Sequence, residues 1–201
     1  MEREKEIELA RELLAGNPAA FDRFVEHFRS KIFQYSWMMC GHREDAEEVA
    51  QETLLKVFES FEQLREPQRV RAWVFRIAKN ACLMKRRKSV FAPKQELSLD
   101  ELMPVARHDG EQIKIEIADW SALPDEEVLR GELREVLHRA MTELPDIYRS
   151  VILLRDVEEL STEETAQVLD VGADVVKTRL HRARLAIRQT LDRYLRKAGA
   201  N

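Results

Sequence analysis

The chain has 201 residues, 35% of them charged, with only six glycines and six prolines and a net charge of −4. That composition suits long amphipathic helices better than sheets and leaves material for one large core or two small ones. No apolar run is long enough to cross a membrane, and the charged opening MEREKEIELA lacks the features of a signal or transit peptide, so a cytoplasmic protein is expected.

The first helix spans Glu4 to Ala15, with Ile7, Leu9, Ala10, Leu13 and Leu14 at helical spacing, and Gly16 breaks it. Asn17-Pro18 starts the next, an N-cap side chain followed by a ring that presets φ. This second helix carries Phe21, Phe24, Val25, Phe28, Ile32, Phe33 and Tyr35, and Gly41 can close it in the left-handed conformation. A third helix follows Asp45 and is expected to bury Ala46, Val49, Ala50, Leu54, Val57, Phe58 and Phe61. Pro67 precedes a fourth, with Val70, Trp73, Val74, Ile77 and Ala81 on one face. Cys40 and Cys82 lack a CxxC spacing and suggest buried free thiols in a reducing compartment; Cys40-Gly41-His42 offers too few ligands for a metal centre.

Periodicity fades between residues 89 and 123, where Pro93, Pro104 and Gly110 interrupt an acid-rich stretch anchored only by Trp120. It returns after Pro124 with Val128, Leu129, Leu133, Val136 and Leu137, and after Pro145 with Ile147, Val151, Ile152 and Leu154. Ser161-Thr162-Glu163-Glu164 has the form of a capping box and opens a short helix that stops at Asp170-Val171-Gly172. A longer helix then turns Val176, Leu180, Ala183 and Ile187 inward. Two helices joined by so short a turn, the second basic outward, predict a helix-turn-helix.

The modest net charge hides segregation. Arg69, Arg71, Arg76, Lys79, Lys85, Arg86, Arg87 and Lys88 form one basic block, and Lys177, Arg179, Arg182, Arg184, Arg188, Arg193, Arg196 and Lys197 form another. Either alone fits a solvated helix face; each at the end of its own helical unit, across an acidic connector, fits nucleic-acid binding. In the second helix of a helix-turn-helix, Asp174, Lys177, Thr178, His181 and Arg182 recur at three- and four-residue steps and share the face that enters a major groove. Asp174 also suits the positive end of the helix dipole, and His181 suits either a phosphate contact or solvent. Trp73 fits the core better than a stacking platform, and Phe75 fits either.

Val176-Lys177-Thr178-Arg179-Leu180-His181-Arg182-Ala183-Arg184, with Leu144-Pro145 and Leu154-Arg155 before it, resembles domain 4 of RNA polymerase sigma factors. Glu44-Asp45-Ala46-Glu47-Glu48-Val49-Ala50-Gln51-Glu52 resembles the domain 2 helix that docks on the polymerase clamp coiled coil. Arg71-Ala72-Trp73-Val74-Phe75-Arg76-Ile77-Ala78-Lys79-Asn80 resembles the adjoining promoter-melting segment. In their expected order these segments identify a member of the sigma-70 family, and the lack of a domain 3 points to the extracytoplasmic-function group (group IV). Met84 replaces an acid common among relatives and Asp170 a common glycine, which leaves the promoter sequence open.

The resemblance implies an all-α fold of two small domains, 1–88 and 124–201, joined by a flexible acidic linker, 89–123, that threads toward the polymerase active-site channel. It implies an alternative sigma factor, not an enzyme and without cofactors, that directs promoter-specific initiation. Its expected partners are core RNA polymerase (clamp coiled coil and flap), promoter DNA and an anti-sigma factor, with no membrane insertion. Asp45, Glu48, Gln51 and Glu52 would bind polymerase. Arg71, Arg76, Lys79, Asn80, Lys85, Arg86 and Arg87 would bind the −10 element, with the Asn80 amide suited to a base edge. Arg155, Asp174, Lys177, Thr178, Arg179, His181, Arg182 and Arg184 would serve the −35 element. A stand-alone helix-turn-helix regulator is the alternative; it would not need the segment from Asp45 to Asn80. The five histidines are scattered without a catalytic motif, which disfavours an enzyme.

Overall fold

Helix α2 (Ala19–Cys40) organises the N-terminal half. Its buried stripe of Ala20, Phe24, Phe28, Ile32, Tyr35 and Met39 repeats at three or four residues, the spacing that keeps one helical face inward. Each of the larger side chains contributes about 1.5–3 kcal/mol by leaving water. Asn17 Oδ1 accepts from the Ala19 amide at 3.2 Å to satisfy the first turn. Gly41, at φ 78°, closes the helix by donating to the Trp37 carbonyl. The Asn17 and Gly41 expectations hold because both signals are local.

The computed structural model describes the backbone of residues 2–88 and 126–198 and the side chains of residues 2–86 and 133–196. The expectations for the acidic connector, Trp120, and the side chains of Arg87, Val128 and Leu129 lie outside the described residues. The described part is helical, with no strand. Around α2 pack α1 (Glu2–Leu14), α3 (Arg43–Ser60) and α4 (Val70–Lys88), the last preceded by short 3-10 turns at Phe61–Gln63 and Pro67–Arg69. Edge-to-face aromatic pairs join these elements: Phe24 with Phe61 at 5.5 Å between centroids, Phe61 with Trp73 at 5.7 Å, and Tyr35 with Phe75 at 5.4 Å. Phe75 is fully buried and Trp73 partly so, which makes both elements of the core or its edge.

The C-terminal half consists of α5 (Glu126–Thr142), α6 (Asp146–Ile152), a π-helical turn (Leu153–Val157), α7 (Thr162–Leu169) and α8 (Ala173–Ala198). Ser161 Oγ accepts from the Glu164 amide at 3.1 Å while Glu164 Oε2 accepts from the Ser161 amide at 2.6 Å, the reciprocal cap predicted from the sequence. Asp170 adopts φ 57° and ends α7.

The halves are docked, and their buried residues form one continuous cluster. Glu6 of α1, 1% exposed, sits at the seam. Arg71 Nε and Nη2 donate to its two oxygens at 2.7 and 2.8 Å, and His27 and Lys31 each lie 2.9 Å from Oε1. Burial alone would raise the Glu6 pKa; the bonds from Arg71, His27 and Lys31 outweigh it and hold it at about 2. Arg71 Nη1 continues across the seam to the Glu158 carbonyl at 3.0 Å.

Candidate nucleic-acid interface

Helix α8 presents its first turns outward because Val176, Leu180, Ala183 and Ile187 hold the opposite face in the core. Asp174, Lys177, Thr178 and His181 are exposed on the groove-facing side, as expected. Lys177 Nζ lies 3.6 Å from Asp174 Oδ1, an exposed pair of about 0–1 kcal/mol that a phosphate readily replaces. The Thr178 hydroxyl donates to the Asp174 carbonyl at 2.9 Å and keeps its acceptor capacity outward. Arg179 and Arg182 are half-buried on the flanks. Two other arginines are occupied within this half. Arg184 makes a bidentate pair with Asp156 at 2.9 and 2.6 Å, and Arg155 donates to the Leu160 carbonyl. The first pair fixes the π-helical turn against α8, and the second ties that turn to the segment that leads into α7.

Along α4 the predicted cations divide. Arg76 and Asn80 are exposed. Arg71 is only 5% exposed, so the structure corrects its placement on a phosphate-binding face: it is spent on Glu6, a partner 65 positions away in sequence. Lys79 is half-buried and donates to the Val168 carbonyl at 3.2 Å; burial, then the repulsion of Arg76, lowers its pKa. Lys85 reaches Glu48 and Asp45, the latter at 3.3 Å. Arg86 donates to the Met39 carbonyl at 3.3 Å and pairs with Asp146.

Beside this face lies a cleft of about 210 Å³, lined by the Gln63-Leu64-Arg65-Glu66 turn, Arg69, Trp73 and Arg76 on one side and by Gln167 and Val168 of α7 on the other. The sequence reading placed base capture at Asn80 and overlooked this cleft, although arginines at 65 and 69 next to Trp73 were the available signal. An aromatic wall with guanidinium groups around it can stack an unpaired base and hold its phosphate. A larger groove of about 560 Å³ is lined only by α1 and α2, where Lys5, Glu8, Glu12, Arg23 and Glu26 mix both signs of charge.

Helix α3 carries the remaining predicted site. Glu48 and Gln51 are exposed, Glu52 pairs with Lys56 four residues on, and Asp45 is half-buried against Lys85. Phe58, expected in the core, is 60% exposed, and Leu55 is 57% exposed. Phe58 rests edge-on against Phe21 at 4.8 Å. Glu48, Gln51, Glu52, Leu55 and Phe58 follow one another at helical steps, so acids and apolar groups share one outer face.

Residues 24–90 match the family described as Sigma-70 region 2, and residues 134–187 match Sigma-70, region 4. The chain is similar to the ECF RNA polymerase sigma factor SigW of Bacillus subtilis, with 32% identity over 88% of this chain and 91% of that protein. It is also similar to the RNA polymerase sigma-H factor of Pseudomonas aeruginosa, with 27% identity over 97% and 98% of the two chains. In fold it is similar to CnrH in its complex with the cytosolic domain of CnrY, with a TM-score of 0.63, 23% identity and coverage of 94% and 97%. The sigma factor RpoE of Bartonella quintana, in its complex with the anti-sigma factor NepR, gives a TM-score of 0.60, 19% identity and coverage of 86% and 96%.

Proposed function

The chain belongs to the extracytoplasmic-function RNA polymerase sigma factors of the sigma-70 family, and on that premise we propose how its surfaces direct core polymerase to promoters. The outer face of α3, with Glu48, Gln51, Glu52, Leu55 and Phe58, docks on the polymerase. The cleft beside Trp73, with Arg65, Arg69 and Arg76, and Lys79 and Asn80 farther along α4, take the unpaired −10 strand. The exposed turns of α8, with Lys177, Thr178 and His181 flanked by Arg179 and Arg182, enter the major groove of the −35 element. Residues 1–88 and 124–201 act as the two domains and 89–123 as the acidic connector.

One observation carries this reading: a helix-turn-helix lies in the same chain as a basic helix whose cleft has an aromatic wall. Major-groove entry needs an outward polar face on a firmly seated helix, which the cap at Ser161 and the inward stripe of α8 provide. Capture of an unstacked base needs a flat apolar wall and cations, which Trp73 and the arginines provide. The face of α3 with exposed Leu55 and Phe58 favours a polymerase-bound subunit over a stand-alone regulator, which has no use for it. No catalytic role is proposed; the site is the cytoplasm, and an anti-sigma protein is a further partner, in line with the complexes of CnrH and RpoE.

Run-off transcription with core polymerase on a genomic promoter library tests the reading. Transcripts that start at shared −10 and −35 motifs are expected; a profile identical to that of core polymerase alone would reject it.

A further inference from the structure

Cys40 and Cys82 meet between α2 and α4, and neither the polymerase-binding nor the promoter-binding surfaces use them. Cys40 is the last residue of α2 and is partly exposed, whereas Cys82, on the inner face of α4, is fully buried. Both are free thiols, and they share a hydrogen bond. That bond outweighs burial and the repulsion of Asp45 and, with Arg86 and Lys85 assisting, draws the Cys40 pKa below that of an ordinary thiol. The same bond, together with burial, pushes Cys82 well above it. Cations gather at this spot: Arg86 and Arg149 donate to the Met39 carbonyl, one residue before Cys40, at 3.3 and 2.9 Å. They offset the negative end of α2, which would otherwise disfavour a thiolate there. Two thiols alone are too few to hold a structural metal ion, and among the described residues no group of three or more ligands includes them.

We propose that Cys40 and Cys82 form a peroxide-responsive thiol pair, in which Cys40 is the reacting thiol and Cys82 resolves it into an intrachain disulfide. Peroxide arrives at the partly exposed Cys40. The thiolate attacks one peroxide oxygen; the S–O bond forms as the O–O bond breaks, and hydroxide leaves to be protonated to water. Cys40 is then a sulfenic acid. Cys82, which the core shields from solvent, attacks that sulfur. The S–S bond forms, the S–O bond breaks, and the departing hydroxide takes the Cys82 proton as a second water. The thiols together lose two electrons and the peroxide gains them. The new bond ties the Gly41 turn, which leads into α3, to α4. Because it closes a loop within the chain, it restricts the unfolded ensemble and stabilises the N-terminal half. In a reducing compartment such a disulfide is a transient signal rather than a permanent brace.

The test uses the full chain, reduced and then exposed to hydrogen peroxide in the native state. Surviving thiols are alkylated after denaturation and read by mass spectrometry. The two thiols are expected to disappear together, with the loss of two hydrogens and a Cys40–Cys82 cross-linked peptide that dithiothreitol reverses. The reaction should be faster in the native chain than in urea, and the cross-linked chain should unfold at higher urea than the reduced one. Cys82→Ala is expected to halt at the sulfenic acid, trapped on Cys40 by dimedone to a far greater extent than in the parent. Cys40→Ala leaves only the buried thiol and should react about tenfold more slowly. Independent loss of the two thiols, a link between chains, or equal rates in native and urea-unfolded parent would each overturn the inference. So would a Cys40→Ala variant that reacts as fast as the parent, and a cross-linked chain no more resistant to urea would reject the bracing. The cross-link, the rate and the urea midpoint are read on the parent chain, so none of them depends on a variant folding.

Discussion

Arg71 grips Glu6 through two nitrogens, at 2.7 and 2.8 Å, in the interior of the chain. The pair ties α1 to α4, and the remaining arm of the guanidinium bonds the Glu158 carbonyl on the far side of the seam. Both partners are buried, so neither can fall back on water if the other is removed.

Arg71→Met is therefore expected to lower unfolding free energy by about 3–5 kcal/mol, since it strands a buried carboxylate. Glu6 also dictates an acid dependence. Its folded pKa, about 2, lies below the ordinary value of 4.5, so its contribution is fully present above pH 4.5 and is lost as pH falls toward 2. Urea unfolding at a series of pH values should show wild-type stability falling through that window by about 3 kcal/mol more than in Glu6→Gln. Equal slopes in the two proteins would show that Glu6 is not held as the carboxylate.

Glu158 makes the opposite prediction. Burial raises its pKa from 4.5 to about 7, against the attraction of Lys31 and Arg71 and with the repulsion of Glu6 and Glu2. Those neighbours belong to α1, α2 and α4, so it is docking of the halves that buries Glu158. A raised folded pKa means that its support for docking is complete below pH 4.5 and is lost as pH rises through 7. Energy transfer between dyes on the two halves should report tighter docking at pH 5.5 than at pH 8, on the order of tenfold in the docking constant. Glu158→Gln should flatten that dependence and keep the halves docked at the higher pH.

The parts legible in the sequence were those with local causes. Asn17, Gly41, the Ser161–Glu164 cap and the turn at Asp170 each act within a few residues, and each stands where the pattern put it. Phe58 was misplaced because helical spacing identifies an apolar stripe but not its edge: Val57 points inward, and its neighbour, one step around the helix, does not. Arg71 was misplaced because its partner is 65 positions away. The cleft was missed for a related reason, since its second wall comes from α7.

The outer face of α3 can be tested without disturbing the core. Glu48→Lys with Leu55→Ser alters only exposed positions, so unfolding free energy should move by no more than about 1 kcal/mol, the loss of the surface pair between Glu48 and Lys85 included. Competition with unmodified protein for core polymerase should nevertheless fall by about tenfold or more, the loss typical of an anchor at an interface centre. Phe58→Ala should add to the defect, at some cost to its packing on Phe21 of about 0.5–1.5 kcal/mol. Undiminished competition by the double variant would return this face to solvent.

Reading and gripping should separate along α8. Lys177 is exposed in the first turns, where a recognition helix meets base edges, whereas Arg188 lies farther along and pairs with Asp192 at 3.8 Å. Loss of a base-edge contact costs about 1–3 kcal/mol and relaxes preference at one position; loss of a phosphate contact weakens all sequences alike and reduces the salt slope by about one. Selection of −35 sequences with reconstituted holoenzyme should thus give an altered motif for Lys177→Ala and the parental motif for Arg188→Ala. If binding of Arg188→Ala is weaker at all sequences and less salt-dependent, that arginine grips the backbone; if its binding is unchanged, it serves only Asp192. A parental motif from Lys177→Ala would move the reading face elsewhere on the helix, toward His181 and Arg182, where the same selection can be repeated.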